Sequence, residues 1–178
     1  QLILKGEELK LERIAKNGAE LSKENYLVNE HELTILNPED SFVLETTVRI
    51  TPQSNTSLEG LYKSGTLFCT QCEAEGFRRI TYFMDRPDVL SVYTVTVVAD
   101  KSIPMLLANG NPVDKGDIGA SSHFVKWHDP HPKPCYLFAL VAGDFDLLTD
   151  SYTTSSGKEV ALELYVDKGK KSQGVFAL

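Results

Sequence analysis

The sequence predicts an all-β fold, an antiparallel sandwich or saddle, and three observations lead there. Apolar residues recur with a period of two, turn signals interrupt the chain at short intervals, and no stretch sustains the 3.6-residue stripe of an amphipathic helix. Many short strands divided by frequent turns belong to antiparallel sheets packed face to face.

The clearest strand signal is Phe42, Leu44, Thr46, Val48 and Ile50, five alternating positions that put one face on a core. Tyr93, Val95, Val97 and Ala99 repeat it. Shorter candidates, in chain order, are Leu9 to Ile14, Glu32 to Leu36, Ile80 to Met84, Met105 to Ala108, His123 to Trp127, Tyr136 to Val141 and Val160 to Val166. Asn17-Gly18, Asn37-Pro38, Asn109-Gly110-Asn111-Pro112 and Ser155-Ser156-Gly157 supply the turns between them. One helical turn is expected near Arg86 to Ser91, and no internal repeat or low-complexity linker is present.

With 178 residues and 42% hydrophobic content, the chain can bury one sizeable core, or two small ones at most. Its 25 acidic residues against 18 basic ones leave a formal charge of -7, which argues against nucleic acid or an anionic membrane as partner. A cationic ligand is better received. No apolar run approaches the roughly 18 residues of a membrane span, and no basic and then apolar leader opens the chain, so a cytoplasmic location is expected. Three cysteines leave one unpaired in any scheme, which favours a reducing compartment over a disulfide framework.

Three groups of residues suggest chemistry. His31-Glu32 begins like the zinc protease motif, in which two histidines four apart on a helix hold the metal, but the fourth position is Ile35. The surroundings read as strand, where such positions lie about 13 Å apart. Cys69 and Cys72, together with His128, His131 and Cys135, have the count and spacing of a small structural zinc module. Against that reading, His131 lies between two prolines and the cysteines also suit a buried apolar role. Gln71, Glu73 and Glu75 share one face if their segment is extended, and could line a polar cleft. A carboxylate held there would pair with a peptide's free α-amino group, which is cationic near neutral pH. The competing structural reading pairs Glu73 and Glu75 with Arg78, Arg79 or Arg86.

The same region resembles a known family. The runs Asn55 to Tyr62 (NTSLEGLY), Thr70 to Tyr82 (TQCEAEGFRRITY), Asp85 to Leu90 (DRPDVL), Asn109-Gly110-Asn111 and Lys133 to Asp144 (KPCYLFALVAGD) are similar to the N-terminal domain of bacterial zinc-dependent aminopeptidases N, the alanyl aminopeptidases. The opening residues and the last ten match less distinctively. The resemblance implies that the Gln-x-Glu of this run reaches from the β domain into the active site of a neighbouring catalytic domain. Carried over position by position, Glu73 would bind the substrate's free amine and Gln71 would line the pocket for its first side chain. For Glu75, Arg78, Arg79, Asp85, Arg86 and Asp88 the expectation stays structural, a charge network that holds the site loop on the sheet.

Departures from the family pattern set limits. The His-Glu-x-x-His zinc motif with its downstream glutamate is absent from these 178 residues, as is the Gly-Ala-Met-Glu-Asn substrate motif. The resemblance therefore implies no catalytic residue and no metal ligand here, with the zinc of the parent enzyme held by a catalytic domain of the same chain. Residues 1–166 are expected to form the β domain, cut after its true start, and 167–178 to begin the link to that catalytic domain. Alone, the chain is expected to be inactive. Two other classes stay open: a stand-alone β-sandwich interaction module, and the small cysteine and histidine zinc module.

Overall fold

The computed structural model describes all 178 residues, and every strand pairing in it is antiparallel. The first third holds β1 (Leu2–Lys5), β2 (Lys10–Lys16), β3 (Ala19–Glu20), β4 (Tyr26–Val28), β5 (Glu32–Ile35) and β6 (Leu44–Arg49). These make two three-stranded sheets, ordered β1-β5-β4 and β3-β2-β6. Leu4, Leu33 and Ile35 from the first sheet meet Ile14 from the second and Tyr82 in one buried cluster, flanked by Leu44 and Val48. The period-two face predicted from Phe42 to Ile50 is the face that turns inward. Asn17 and Gly18 both take positive φ, at 52° and 82°, which gives the β2-β3 hairpin a two-residue turn with the twist its strands need.

The middle of the chain builds the sheet that carries the site. β7 (Gly60–Ser64) and β8 (Leu67–Gln71) form a hairpin, and with β10 (Met105–Ala108) and β13 (Leu140–Gly143) they make a four-stranded sheet ordered β10-β13-β8-β7. Alongside lies a three-stranded sheet, β11-β12-β9, made of β9 (Ser91–Asp100), β11 (Asn111–Ile118) and β12 (Ser122–Lys133). Between them sits a second core of Cys72, Phe77, Cys135 and Phe138, with Ile80, Phe83, Tyr93, Val95 and Leu140 packed on it. The Phe77 ring meets those of Phe83 and Phe138 edge-on at 5.1 Å each, a favoured aromatic geometry. Last come the hairpin of β14 (Phe145–Thr153) and β15 (Glu159–Asp167) and the one-turn helix α1 (Lys171–Gly174). No helix is long and apolar enough to cross a membrane.

The all-β expectation holds, and three local expectations do not. Ile80 to Met84 is not a strand; only an isolated bridge links Phe83 to Lys5. Its alternation is real but serves two cores, since Tyr82 enters the first cluster and Phe83 packs on the second. Tyr136 to Val141 is strand only from Leu140, because Pro134 leads into a 3-10 turn at Cys135–Leu137, closed by Leu137 N donating to Pro134 O (3.1 Å). Arg86 to Ser91 forms no helix. A turn around Pro87 and Asp88 is closed by Val89 N donating to Arg86 O (3.3 Å), after which the chain extends into β9.

Candidate functional site

The site is a turn suspended between two buried anchors. β8 ends at Gln71, and the next five residues turn sharply, closed by Gly76 N donating to Cys72 O at 2.9 Å. Cys72 and Phe77 are 2% and 5% exposed, so both ends of the turn are pinned in the second core. Glu73, Ala74 and Glu75 are thereby pushed into solvent. The expected shared face of Gln71, Glu73 and Glu75 does not exist, because period-two geometry stops at Gln71. Instead the Gln71 side chain folds onto the turn, its Nε2 donating to Glu73 O at 2.9 Å.

Gly76 explains why the turn can be so tight. A Cβ there would collide with Gln71 O and lie 2.9 Å from Gly60 N, so only glycine lets the returning chain rest on the end of the β7-β8 ladder. Gly60, opposite Gln71, sits at φ 69° with its own missing side chain facing Arg79. The chain then enters a 3-10 turn at Phe77–Arg79 that projects two arginines.

Those arginines organise the acidic residues around them. Arg78 Nε donates to Asp85 Oδ2 (2.9 Å), and Arg78 Nη2 lies 2.7 Å from Glu75 Oε2. Arg79 reaches Glu7 (3.1 Å), Glu8 (2.9 Å) and Glu59 (3.2 Å). Burial by itself would lower the Arg78 pKa, but the Asp85 hydrogen bond and the charges of Asp85, Glu75 and Glu7 outweigh it and raise the value. The structural reading thus holds for Glu75 and fails for Glu73, which joins no ion pair. Glu73 lines a cavity of about 250 Å³ with Ala74, Glu75, Asp85, Arg86, Pro87 and Tyr136. Gln71 lies outside that lining. Ala74, Pro87 and Tyr136 are the lining residues to which the sequence assigned no role, although all three stand within the resembling runs.

The residues of the alternative zinc module do not gather. Cys72 and Cys135 are buried in the second core, while Cys69 sits half-buried on β8 opposite Tyr62 and Val141. His128 Nδ1 is bonded to Thr94 Oγ1 (2.9 Å) and His131 is exposed on β12. No three His, Cys, Asp or Glu side chains are grouped so that they could hold a metal. Burial and then the Asp85 charge push the Cys72 thiol up to about 12. Burial, followed by the hydrogen bond it donates to Asp85, does the same for Cys135, also to about 12. Both are therefore neutral thiols near neutral pH, poorly suited to act as nucleophiles.

Residues 1–137 match the family model described as the peptidase M1 N-terminal domain. The chain belongs to that family. Among curated relatives of this M1 N-terminal domain, aminopeptidase N of Caulobacter vibrioides is 56% identical over 177 residues, covering 99% of this chain. Aminopeptidase N of Escherichia coli is 52% identical over 178 residues, again covering 99%. In both cases the chain spans about a fifth of the relative, 20% of its length. Among solved structures, Legionella pneumophila aminopeptidase A in complex with aspartic acid superposes with a TM-score of 0.93 at 37% identity, over 99% of this chain and 21% of that one. A variant M1 zinc metallopeptidase of Deinococcus radiodurans, bound to a Tyr-Ser-Ala substrate, shares the fold at a TM-score of 0.76 and 17% identity, over 97% of this chain and 43% of that one.

Proposed function

We propose that this chain is the substrate-recognising β domain of a longer zinc aminopeptidase that removes N-terminal residues from peptides. In this reading Glu73 binds the free α-amine of the substrate, and Gln71 borders the pocket for its first side chain. The observation that carries it is the state of Glu73: an unpaired carboxylate on a turn with buried ends, beside a cavity, in a chain that aminopeptidases N match along almost its whole length. The neighbouring Glu75 and Asp85 are occupied by Arg78, whereas Glu73 has no ion-pair partner and is open to an incoming cation.

No three His, Cys, Asp or Glu side chains of this chain stand together as a zinc site would need. In this reading the metal and the groups that activate water belong to a catalytic domain of the parent, and the residues of this chain contribute binding and orientation. That domain is the intramolecular partner, and a peptide N-terminus is the ligand. Residues 1–166 act as the β domain. From Asp167 the chain begins the link, folding first through α1, whose Gly174 packs on Leu148, Leu164 and Val166. The stand-alone interaction module gains no support, since the relatives matched across this chain are named as aminopeptidases.

Replacing Glu73 by Gln in the full-length enzyme tests this reading. Loss of a charged hydrogen bond of about 1.5 to 3 kcal/mol should lower kcat/KM on a free-amine substrate by about tenfold to a hundredfold. A change smaller than about threefold, with zinc content intact, sinks the assignment.

A further inference from the structure

We propose that Asp85 is a positioning residue for Glu73, joining the two walls of the cavity through one buried carboxylate. The proposal rests on the reading of Glu73 as the amine-binding group and adds what holds that group in place.

The Asp85 side chain is 3% exposed, and each of its oxygens has an assigned donor. Oδ2 accepts from Arg78 N (3.1 Å) and Arg78 Nε (2.9 Å), while Oδ1 accepts from Cys135 Sγ (3.0 Å). The Asp85 backbone oxygen also accepts from Arg78 Nη2 at 3.3 Å. On one side, then, Asp85 fixes the guanidinium that pairs with Glu75, two residues beyond Glu73 in the same turn. On the other side it holds Cys135, the first residue of the 3-10 turn whose next residue, Tyr136, lines the same cavity as Glu73.

A neutral thiol suits this post. As a hydrogen-bond donor with no charge of its own, Cys135 satisfies Oδ1 without competing with Arg78 for the carboxylate. Cys135 shares its buried cluster with Phe77 and Phe138, apolar packing that keeps water from substituting for the thiol donor. Side chains that bind ligand with a fixed orientation need such support, and here Glu73, Ala74 and Glu75 are all exposed.

The test uses the full-length enzyme with Glu73→Gln, Asp85→Asn, the double variant, Cys135→Ala and Cys135→Ser. If Asp85 acts through Glu73, Asp85→Asn should lower kcat/KM about tenfold alone but less than about twofold when Glu73 is already Gln. Inhibition by leucinamide should weaken in step, whereas inhibition by its des-amino analogue should stay within about twofold, a split that general loosening of the fold does not produce. Cys135→Ser keeps the donor and should retain leucinamide inhibition; Cys135→Ala should weaken it about threefold or more, and this pair decides the matter if Asp85→Asn fails to fold. An equal penalty for Asp85→Asn in both backgrounds, equal loss for both inhibitors, or equal behaviour of the two Cys135 variants overturns the proposal and leaves Glu73 as the amine site. A null result for Glu73→Gln removes the underlying reading instead.

Discussion

At the scale of single residues, the two buried thiols are where burial and charge act together. Cys72 and Cys135 keep their protons to about 12 in the fold, against an ordinary value of 9.0, chiefly because burial disfavours the thiolate and secondly because of Asp85, which repels a Cys72 thiolate and accepts the Cys135 proton in a hydrogen bond. Between about pH 9 and pH 12 the unfolded chain has lost these protons while the native state retains them, so stability falls as pH rises through that window, by up to about 1.4 kcal/mol per pH unit for each thiol. Tyr93, raised to about 12 by burial and the same neighbours, acts in the same direction. Replacing both cysteines by alanine should therefore flatten the alkaline decline of the urea midpoint without abolishing it. An unchanged slope would show that the thiols ionise as freely in the native protein as in the unfolded chain. Alkylation with iodoacetamide at pH 7.5 gives a second expected outcome: mass spectrometry should find Cys69 modified first, with Cys72 and Cys135 protected until denaturant is added, since a neutral buried thiol does not react.

At the scale of elements, the decisive unit is the turn from Cys72 to Phe77, and it explains what could be read from the sequence. Period-two alternation identified β6 and β9 because each buries one face of a pleated strand on a core, a property that neighbouring residues report by themselves. The turn was not legible that way. Glu73 and Glu75 alternate as in a strand, yet the chain reverses because Gly76 must fit against Gln71 O and Gly60 N, partners set by the β7-β8 pairing. Contacts of this kind depend on residues distant in sequence or on backbone shape, which no local pattern records. The same holds for Ile80 to Met84, whose alternation divides between two cores. Gly76→Ala tests the element directly. Crowding the carbonyl and the amide should cost about 1 to 3 kcal/mol in a urea titration, and in the full-length enzyme it should also weaken free-amine binding by shifting Glu73. A loss of stability below about 0.5 kcal/mol would mean that the turn opens without consequence and is not held by the close approach.

At the scale of the whole molecule, two hydrophobic clusters share one connector. Tyr82 is buried with Leu4, Ile14, Leu33 and Ile35, while the adjacent Phe83 packs on the cluster beneath the site. Lys5 and Phe83 exchange two backbone hydrogen bonds (2.8 and 3.0 Å), Glu7 N donates to Arg78 O (2.9 Å), and Glu7 and Glu8 pair with Arg79. The N-terminal sandwich is thus bolted to the segment that carries Arg78 and Asp85, and the two clusters should unfold together. Leu33→Ala is a suitable probe because Leu33 is 0% exposed and lies in the cluster farther from the site. Its truncation should cost about 2 to 5 kcal/mol. Trp127, the single tryptophan, stands on β12 opposite Val95, which packs on the second cluster, so its fluorescence reports the far side of the connector. If the clusters are coupled, the urea midpoint seen by Trp127 falls with the midpoint seen by far-ultraviolet circular dichroism, and one transition describes both. If Trp127 keeps its original midpoint while the dichroism splits into two steps, the sandwich and the site are separate folding units, and the bridge at Phe83 transmits no stability to Glu73.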